Sequence, residues 1–146
     1  MKVRDFLKSG PHRIVTARPH TPILEAMALL IENQIGYLPV VDDQDEITGV
    51  ISEKEILRAV FKNPGGFSKA IVGDLMAADP IVGIPDDDLD YIAGVMSSNR
   101  LRRLPIVENR RLVGLLSLWD LVRSQLKNAE AENRYLRKYI ANEYPG

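Results

Sequence analysis

A chain of 146 residues, 45% hydrophobic and 27% charged, has the balance of a globular protein with a real core. A formal net charge of -1 and a pI near 6.1 provide no overall field to draw it to nucleic acid or to an anionic membrane. The lack of cysteine excludes disulfides, thiolate catalysis and Cys-type zinc sites; no stretch approaches the ~18 apolar residues of a membrane span and the opening residues carry no signal-peptide run, so a cytoplasmic protein is expected.

In chain order, a short helix opens the sequence and leads through Gly10-Pro11 into a brief apolar strand at Ile14, Val15 and Thr16. Thr21 is placed to cap a helix whose first position is Pro22, where a missing N–H costs nothing. Ile23, Ala26, Met27 and Leu30 fall at i, i+3, i+4 and i+7, which buries one face of that helix, and Gly36 is read as its stop. Leu38-Pro39-Val40-Val41 is a strand whose proline belongs at its start or at an edge. The acidic run 42–46 reads as a solvated hairpin tip and 47–51 as the returning strand. Ser52 begins a helix through Ile56, Leu57 and Val60 that stops before Asn63-Pro64-Gly65-Gly66, a linker. His12 and His20 have no partner at metal-ligand spacing and read as surface or turn residues.

The second half predicts a strand near Ile81 and Val82, a helix over 86–99 with Leu89, Ile92, Ala93 and Met96 on its apolar face, strands over 104–107 and 112–116, and a helix from Leu118. Asp86-Asp87-Asp88 is read as a helix start favoured by exposed N–H groups rather than as a metal site. An apolar stripe continues through Leu121, Val122, Leu126, Ala129, Leu136, Tyr139 and Ile140 with charged residues behind it, as in a helix lying on its own domain or on a sister subunit.

The two halves repeat each other. Val3-Arg4-Asp5-Phe6-Leu7 returns as Val72-Gly73-Asp74-Leu75-Met76, Leu38-Pro39-Val40-Val41 as Leu104-Pro105-Ile106-Val107, and Gly49-Val50-Ile51-Ser52 as Gly114-Leu115-Leu116-Ser117. The expected fold is α/β, two β-α-β-β-α repeats packed by pseudo-twofold symmetry through their sheets, since one copy alone is too small to bury its sheet well. The chain divides into repeat 1 (1–62), a linker (63–69), repeat 2 (70–126) and an extended C-terminal helix (127–146).

Each repeat carries a strand-to-helix corner: Gly49 to Glu55 and Gly114 to Asp120. Ser52-Glu53-Lys54-Glu55 is a formal capping box and Ser117-Leu118-Trp119-Asp120 a relative with a shorter acid, so helix capping alone accounts for the polar residues of both. The same corner also suits a ligand: a helix N-terminus with a serine hydroxyl seats a phosphate, and a carboxylate one turn on accepts both hydroxyls of a ribose. No Ser/His/Asp set, metal cluster or phosphate loop is present, and the protein is read as no enzyme. The cluster Arg100, Arg102, Arg103, Arg110 and Arg111 lacks interleaved aromatics, which argues against nucleic acid as a partner.

The doubled apolar-Pro-apolar-Val strand followed by Gly-apolar-apolar-Ser-x-x-acid resembles a tandem pair of CBS domains, a Bateman module, over residues 3 to about 126. The resemblance implies two clefts for adenosine ligands, each taking its Ser and acid from one copy and its early strand and pre-proline turn from the other. The better site joins Ser117 and Asp120 to Val15, Thr16, Ile35, Gly36, Tyr37 and Pro39; Asp120 holds the ribose, Ser117 the phosphate side and the backbone at Tyr37 the adenine edge. The weaker site joins Ser52 and Glu55 to Ile81, Val82, Arg102, Arg103 and Pro105, with the two arginines as phosphate partners. Glu55 stands where the family usually has Asp, and its extra methylene moves the carboxylate, which makes this the weaker site. The implied function is a stand-alone regulatory module that needs no obligatory cofactor. It would sense AMP, ADP, ATP or a related adenosyl ligand, form a homodimer and signal to a protein partner. The alternative is a structural or adaptor protein with degenerate clefts.

Overall fold

In the computed structural model, which describes residues 1–8, 13–127 and 133–134, the elements run α1 (Val3–Leu7), α2 (Ile23–Glu32), β1 (Tyr37–Val41), β2 (Ile47–Ser52), α3 (Glu53–Lys62), a 3-10 turn (Phe67–Lys69), α4 (Val72–Leu75), β3 (Ala77–Ala78), α5 (Leu89–Asn99), β4 (Arg103–Glu108), β5 (Arg111–Ser117) and α6 (118–127). β1 and β2 pair antiparallel and β3 adds to β2; β4 and β5 make a second antiparallel pair. The duplication extends to an irregularity, because both hairpins slip register at the same place, between Val40 and Val41 and between Ile106 and Val107. The apolar faces pack as the spacing predicts. Ile23, Ala26 and Leu30 of α2 are buried with Leu38, Val40 and Ile51, and Leu89, Ile92 and Met96 of α5 with Leu104, Ile106 and Leu116.

The first strand of each repeat is shorter than expected. At Ile14 to Thr16 and at Ile81 and Val82 there is no strand; each run ends in a single parallel bridge, Ala17 to Val40 and Gly83 to Ile106. Ala17 N–H donates to the Pro39 carbonyl (3.0 Å) and Val41 N–H to the Ala17 carbonyl (2.9 Å); Gly83 is held in the same way by Pro105 and Val107. The next bond of a parallel ladder would need an N–H at residue 39 or 105, and proline has none. The same proline that marks the hairpin therefore ends the pairing and leaves 13–16 outside the sheet.

The helix ends also differ from expectation. Thr21 does not cap α2; its hydroxyl accepts from the Arg18 N–H (3.0 Å), and Asp87 Oδ2 does the same for the Ile84 N–H (2.9 Å). α5 starts at Leu89 with Asp88 at its N-cap position, so Asp86 and Asp87 lie in the preceding turn, where Asp86 pairs with Arg4 at 2.8 Å. Arg4 holds the Asp86 carboxyl below its ordinary range by hydrogen bond and charge. Gly36 does not stop α2. Gln34 does so in the left-handed region (φ 54°), and Arg100 (φ 53°) ends α5. Ile35 N–H donates to the Leu30 carbonyl and Gln34 N–H to Ile31, a pattern repeated by Leu101 with Met96 and Arg100 with Ser97.

The short helix that opens each repeat packs on the other repeat. Val3, fully buried, belongs to the core of α5, β4 and β5, and Leu89 N–H donates to the Met1 carbonyl (3.0 Å). Reciprocally, Val72 is buried with α2, β1 and β2, and Ile23 N–H donates to the Ala70 carbonyl (3.0 Å). The two repeats also meet at their hairpin tips. The acidic run is more than a solvated tip, since Leu112 N–H donates to the Asp45 carbonyl (3.1 Å) and Glu46 bridges Arg111.

Candidate functional site

β5 ends at Ser117, opposite Arg103 at the start of β4, and α6 begins at the next residue. Leu118 N–H donates to the Arg102 carbonyl (2.8 Å), as Glu53 N–H does to the Gly36 carbonyl (3.1 Å), so each corner is tied to the residue just before its repeat's first hairpin strand. Buried Ser117 and half-buried Asp120 form a complete reciprocal cap. Asp120 Oδ2 accepts from the Ser117 N–H (2.8 Å) and hydroxyl (2.7 Å), while Ser117 Oγ accepts from the Asp120 N–H (3.1 Å). Asp120 Oδ1 faces outward to Arg123 at 2.6 Å. Burial pushes the Asp120 carboxyl up, but the Ser117 hydroxyl, the Ser117 N–H and Arg123 outweigh it and hold the carboxyl below its ordinary value.

The first corner is different, although Ser52 to Glu55 has the formal capping-box spacing. Glu55 accepts from the Ser52 hydroxyl, and no side-chain hydrogen bond caps α3. Tyr37, opposite Ser52 in the hairpin, has its phenol pushed up by burial and further by the Glu55 charge.

A cleft of about 360 Å³ opens between the repeats. From repeat 1 it is lined by Val15, Ile35 and Tyr37, and from repeat 2 by Ser117 and Asp120, five of the residues expected at the better site. Thr16, Gly36 and Pro39 are not in its wall; the Gly36 and Pro39 carbonyls are engaged with Glu53 and Ala17. Four further residues line it: Arg13, Ile14, Leu115 and Arg103. Leu115 and Ile14 lie inside motifs already singled out, and Arg13 stands two residues before Val15, so proximity in sequence was the available signal. Arg103, grouped by sequence with Ser52, lies on the strand position paired with Ser117 and faces this cleft.

In the other group, Ser52 and Glu55 are in contact, Ile81, Val82 and Arg102 are exposed, and Pro105 is buried with its carbonyl bonded to Gly83. The arginine cluster does not form one patch. Arg100 ends α5, Arg103 enters the cleft, and Arg110 and Arg111 dock on the first hairpin. A second, apolar groove of about 610 Å³ lies between α2 and α3, where Ile31 and Leu57 are 73% and 72% exposed. Among the described residues no three His, Cys, Asp or Glu side chains are grouped to hold a metal, His20 is exposed, and no helix is long and apolar enough to cross a membrane. His12 and the C-terminal stripe from Ala129, with its expected dimer contact, lie outside the described residues.

The CBS domain family model matches residues 3–62 and again 72–127. The CBS domain-containing protein YhcV of Bacillus subtilis is 31% identical over 120 residues, covering 82% of this chain and 84% of YhcV. The crystal structure of CBSX2 from Arabidopsis thaliana in complex with AMP matches with a TM-score of 0.75 at 30% identity, over 88% of this chain and 98% of that one. The CBS domain pair of protein MJ0100 in complex with 5-methylthioadenosine and S-adenosyl-L-methionine matches with a TM-score of 0.71 at 30% identity, over 84% and 98%. Among longer relatives, the chain spans only 22% of the L-aspartate semialdehyde sulfurtransferase of Methanocaldococcus jannaschii, to which it is 30% identical over 122 residues.

Proposed function

Because the chain belongs to the CBS domain family, we propose that it is a regulatory module that binds an adenosine-bearing ligand in the Ser117/Asp120 cleft and passes occupancy to a protein partner. AMP, ADP and ATP are the first candidates, with S-adenosylmethionine beside them. The single observation that carries the reading is that one cleft draws its wall from both repeats and puts the Asp120 carboxylate in it. Solved relatives of the same fold hold AMP or S-adenosyl-L-methionine. In this reading Asp120 Oδ1 takes the ribose hydroxyls in exchange for its contact with Arg123, Ser117 orients Asp120, and Ile14, Val15 and Ile35 give the base an apolar wall. A ligand that bridges the repeats favours the packing it fits best, and that shift, or its effect on a homodimer, is the signal. The apolar groove between α2 and α3 supports a second copy as the dimer partner. No catalytic step is assigned.

A panel of AMP, ADP, ATP and S-adenosylmethionine in thermal-shift and calorimetric titrations tests this, since a ligand that binds only the folded state raises the midpoint. Binding is expected to be lost in Asp120→Ala and little changed in Glu55→Ala. No binding by nucleotide-free protein at about millimolar ligand, where RT ln(1 + [L]/Kd) registers even weak sites, would sink the reading. It would leave the adaptor alternative, which the self-satisfied Ser117/Asp120 cap favours.

A further inference from the structure

We propose that Arg123 is a built-in competitor for the ligand of the Ser117/Asp120 cleft: it occupies the outward oxygen of Asp120, and a ribose must displace it to bind. This inference rests on the adenosine reading of the cleft and deepens it by naming the residue that sets the affinity. Asp120 Oδ2 is committed to the Ser117 N–H and hydroxyl, so Oδ1 is the oxygen left for a ligand. Arg123 Nη2 already donates to Oδ1 at 2.6 Å. Arg123 is not part of the cleft wall, so it covers the carboxylate from outside and takes none of the space that a ligand fills.

The contact is one that can open. Arg123 stands one turn after Asp120 on α6, with the acid before the base, the favoured order along a helix. Its side chain is 66% exposed against 15% for Asp120, and among the described residues it has no second ion pair or side-chain hydrogen bond. Released, the guanidinium returns to water, whereas Asp120 stays in place through Oδ2 and the Ser117 cap. Two ribose hydroxyls then replace one cation on Oδ1, and the exchange costs no more than an exposed ion pair is worth. The first repeat carries the same acid and base at matching places, Glu55 and Arg58, without the contact. There Glu55 is engaged by the Ser52 hydroxyl, and Arg58 makes no ion pair among the described residues. Spacing alone therefore does not make the latch; the outward direction of Asp120 Oδ1 does.

The test is calorimetric titration of the full chain with adenosine, an uncharged probe that offers salt no charge to act on. Wild type, Arg123→Gln and Arg58→Gln are compared at about 30 and about 300 mM NaCl. Both arginines are exposed, so neither substitution disturbs the core. At low salt Arg123→Gln should bind adenosine about two- to fivefold more tightly than wild type, the range for removing an exposed ion pair. Arg58→Gln should match wild type. Because salt screens the competing pair, wild-type affinity should rise from the lower to the higher concentration, and Arg123→Gln should show no such rise. Equal or weaker binding by Arg123→Gln, a gain shared by Arg58→Gln, or a salt dependence that Arg123→Gln shares with wild type overturns the competitor and leaves the adenosine reading standing. Failure of adenosine to bind wild type and both variants overturns the adenosine reading itself, and the competitor with it.

Discussion

The two oxygens of Asp120 are in different situations. Oδ2 is held by the Ser117 N–H and hydroxyl, whereas Oδ1 meets the 66% exposed Arg123. The residue is thus a helix cap and a candidate ligand group at once, and its charge should matter to stability even without ligand. Its folded pKa lies below the ~3.9 of an unfolded aspartate. Between those two values the unfolded chain binds more protons, so stability rises with pH there, is fully present above the unfolded value and is lost as pH falls through the folded one. Asp120→Asn should therefore destabilise by roughly 1 kcal/mol at pH 7, the usual cost of a lost cap. The gap to wild type should close on acidification below about pH 4. Urea melts across that range check it; a gap independent of pH would contradict a role for the charge. The acid's existence was legible from Ser-x-x-acid spacing, but which acid makes the reciprocal cap was not. The formal box at Glu55 and the shorter one at Asp120 exchange roles because the final geometry depends on where each strand delivers its serine. Arg13 was missed for a related reason, since a lone arginine carries no pattern until the fold sets Arg103 in the same cleft.

At the scale of elements, proline and glycine do more than punctuate. Pro39 and Pro105 end a parallel pairing that hydrophobic runs at 14–16 and 81–82 would otherwise extend, an effect that appears only once the strands are neighbours. The left-handed helix ends fall on Gln34 and Arg100, not on glycine, so the stop signal was absent from composition although the backbone motif is identical in both repeats. At Gly49 and Gly114 the neighbour that approaches closely is the exchanged segment. A Cβ on Gly49 would lie 2.7 Å from the Ala77 carbonyl oxygen and 2.8 Å from Met76 Sδ; one on Gly114 would lie 2.5 Å from the Leu7 Cδ2 methyl. A backbone oxygen in a strand pair cannot step aside as a terminal methyl can. Gly49→Ala should then cost about 2 kcal/mol or more, within the range for overpacking, and Gly114→Ala clearly less. Chemical denaturation of the two variants decides the order, and a larger loss at Gly114 would show that Leu7 is the less yielding contact.

For the whole molecule, the sequence repeat and the packing unit are different objects. Repetition of Val3 to Leu7 at Val72 to Met76 was plain in the sequence, yet a repeat read along the chain puts each short helix with its own copy. The structure puts it with the other copy: Val3 completes the α5 core and Val72 the α2 core, both fully buried. Nothing local distinguishes these arrangements, because the same apolar residues are buried either way and only chain connectivity over the whole fold selects one. The exchange means that each hydrophobic core needs a segment from the far side of a sequence boundary, and it predicts how the protein divides. A fragment of residues 13–78 contains α2, β1, β2, α3, α4 and β3, with every buried residue of the first core. A fragment of residues 1–62 instead keeps α1, whose partner is absent, and lacks Val72, Leu75 and Met76. Both are near the size at which a single core is marginal, so the loss of one fully buried valine and its neighbours is decisive. The 13–78 fragment should show cooperative urea unfolding with a midpoint below that of the full chain, while 1–62 should show none. Should 1–62 unfold as cooperatively as 13–78, the short helices would be packing within their own repeats, and the exchange would be wrong.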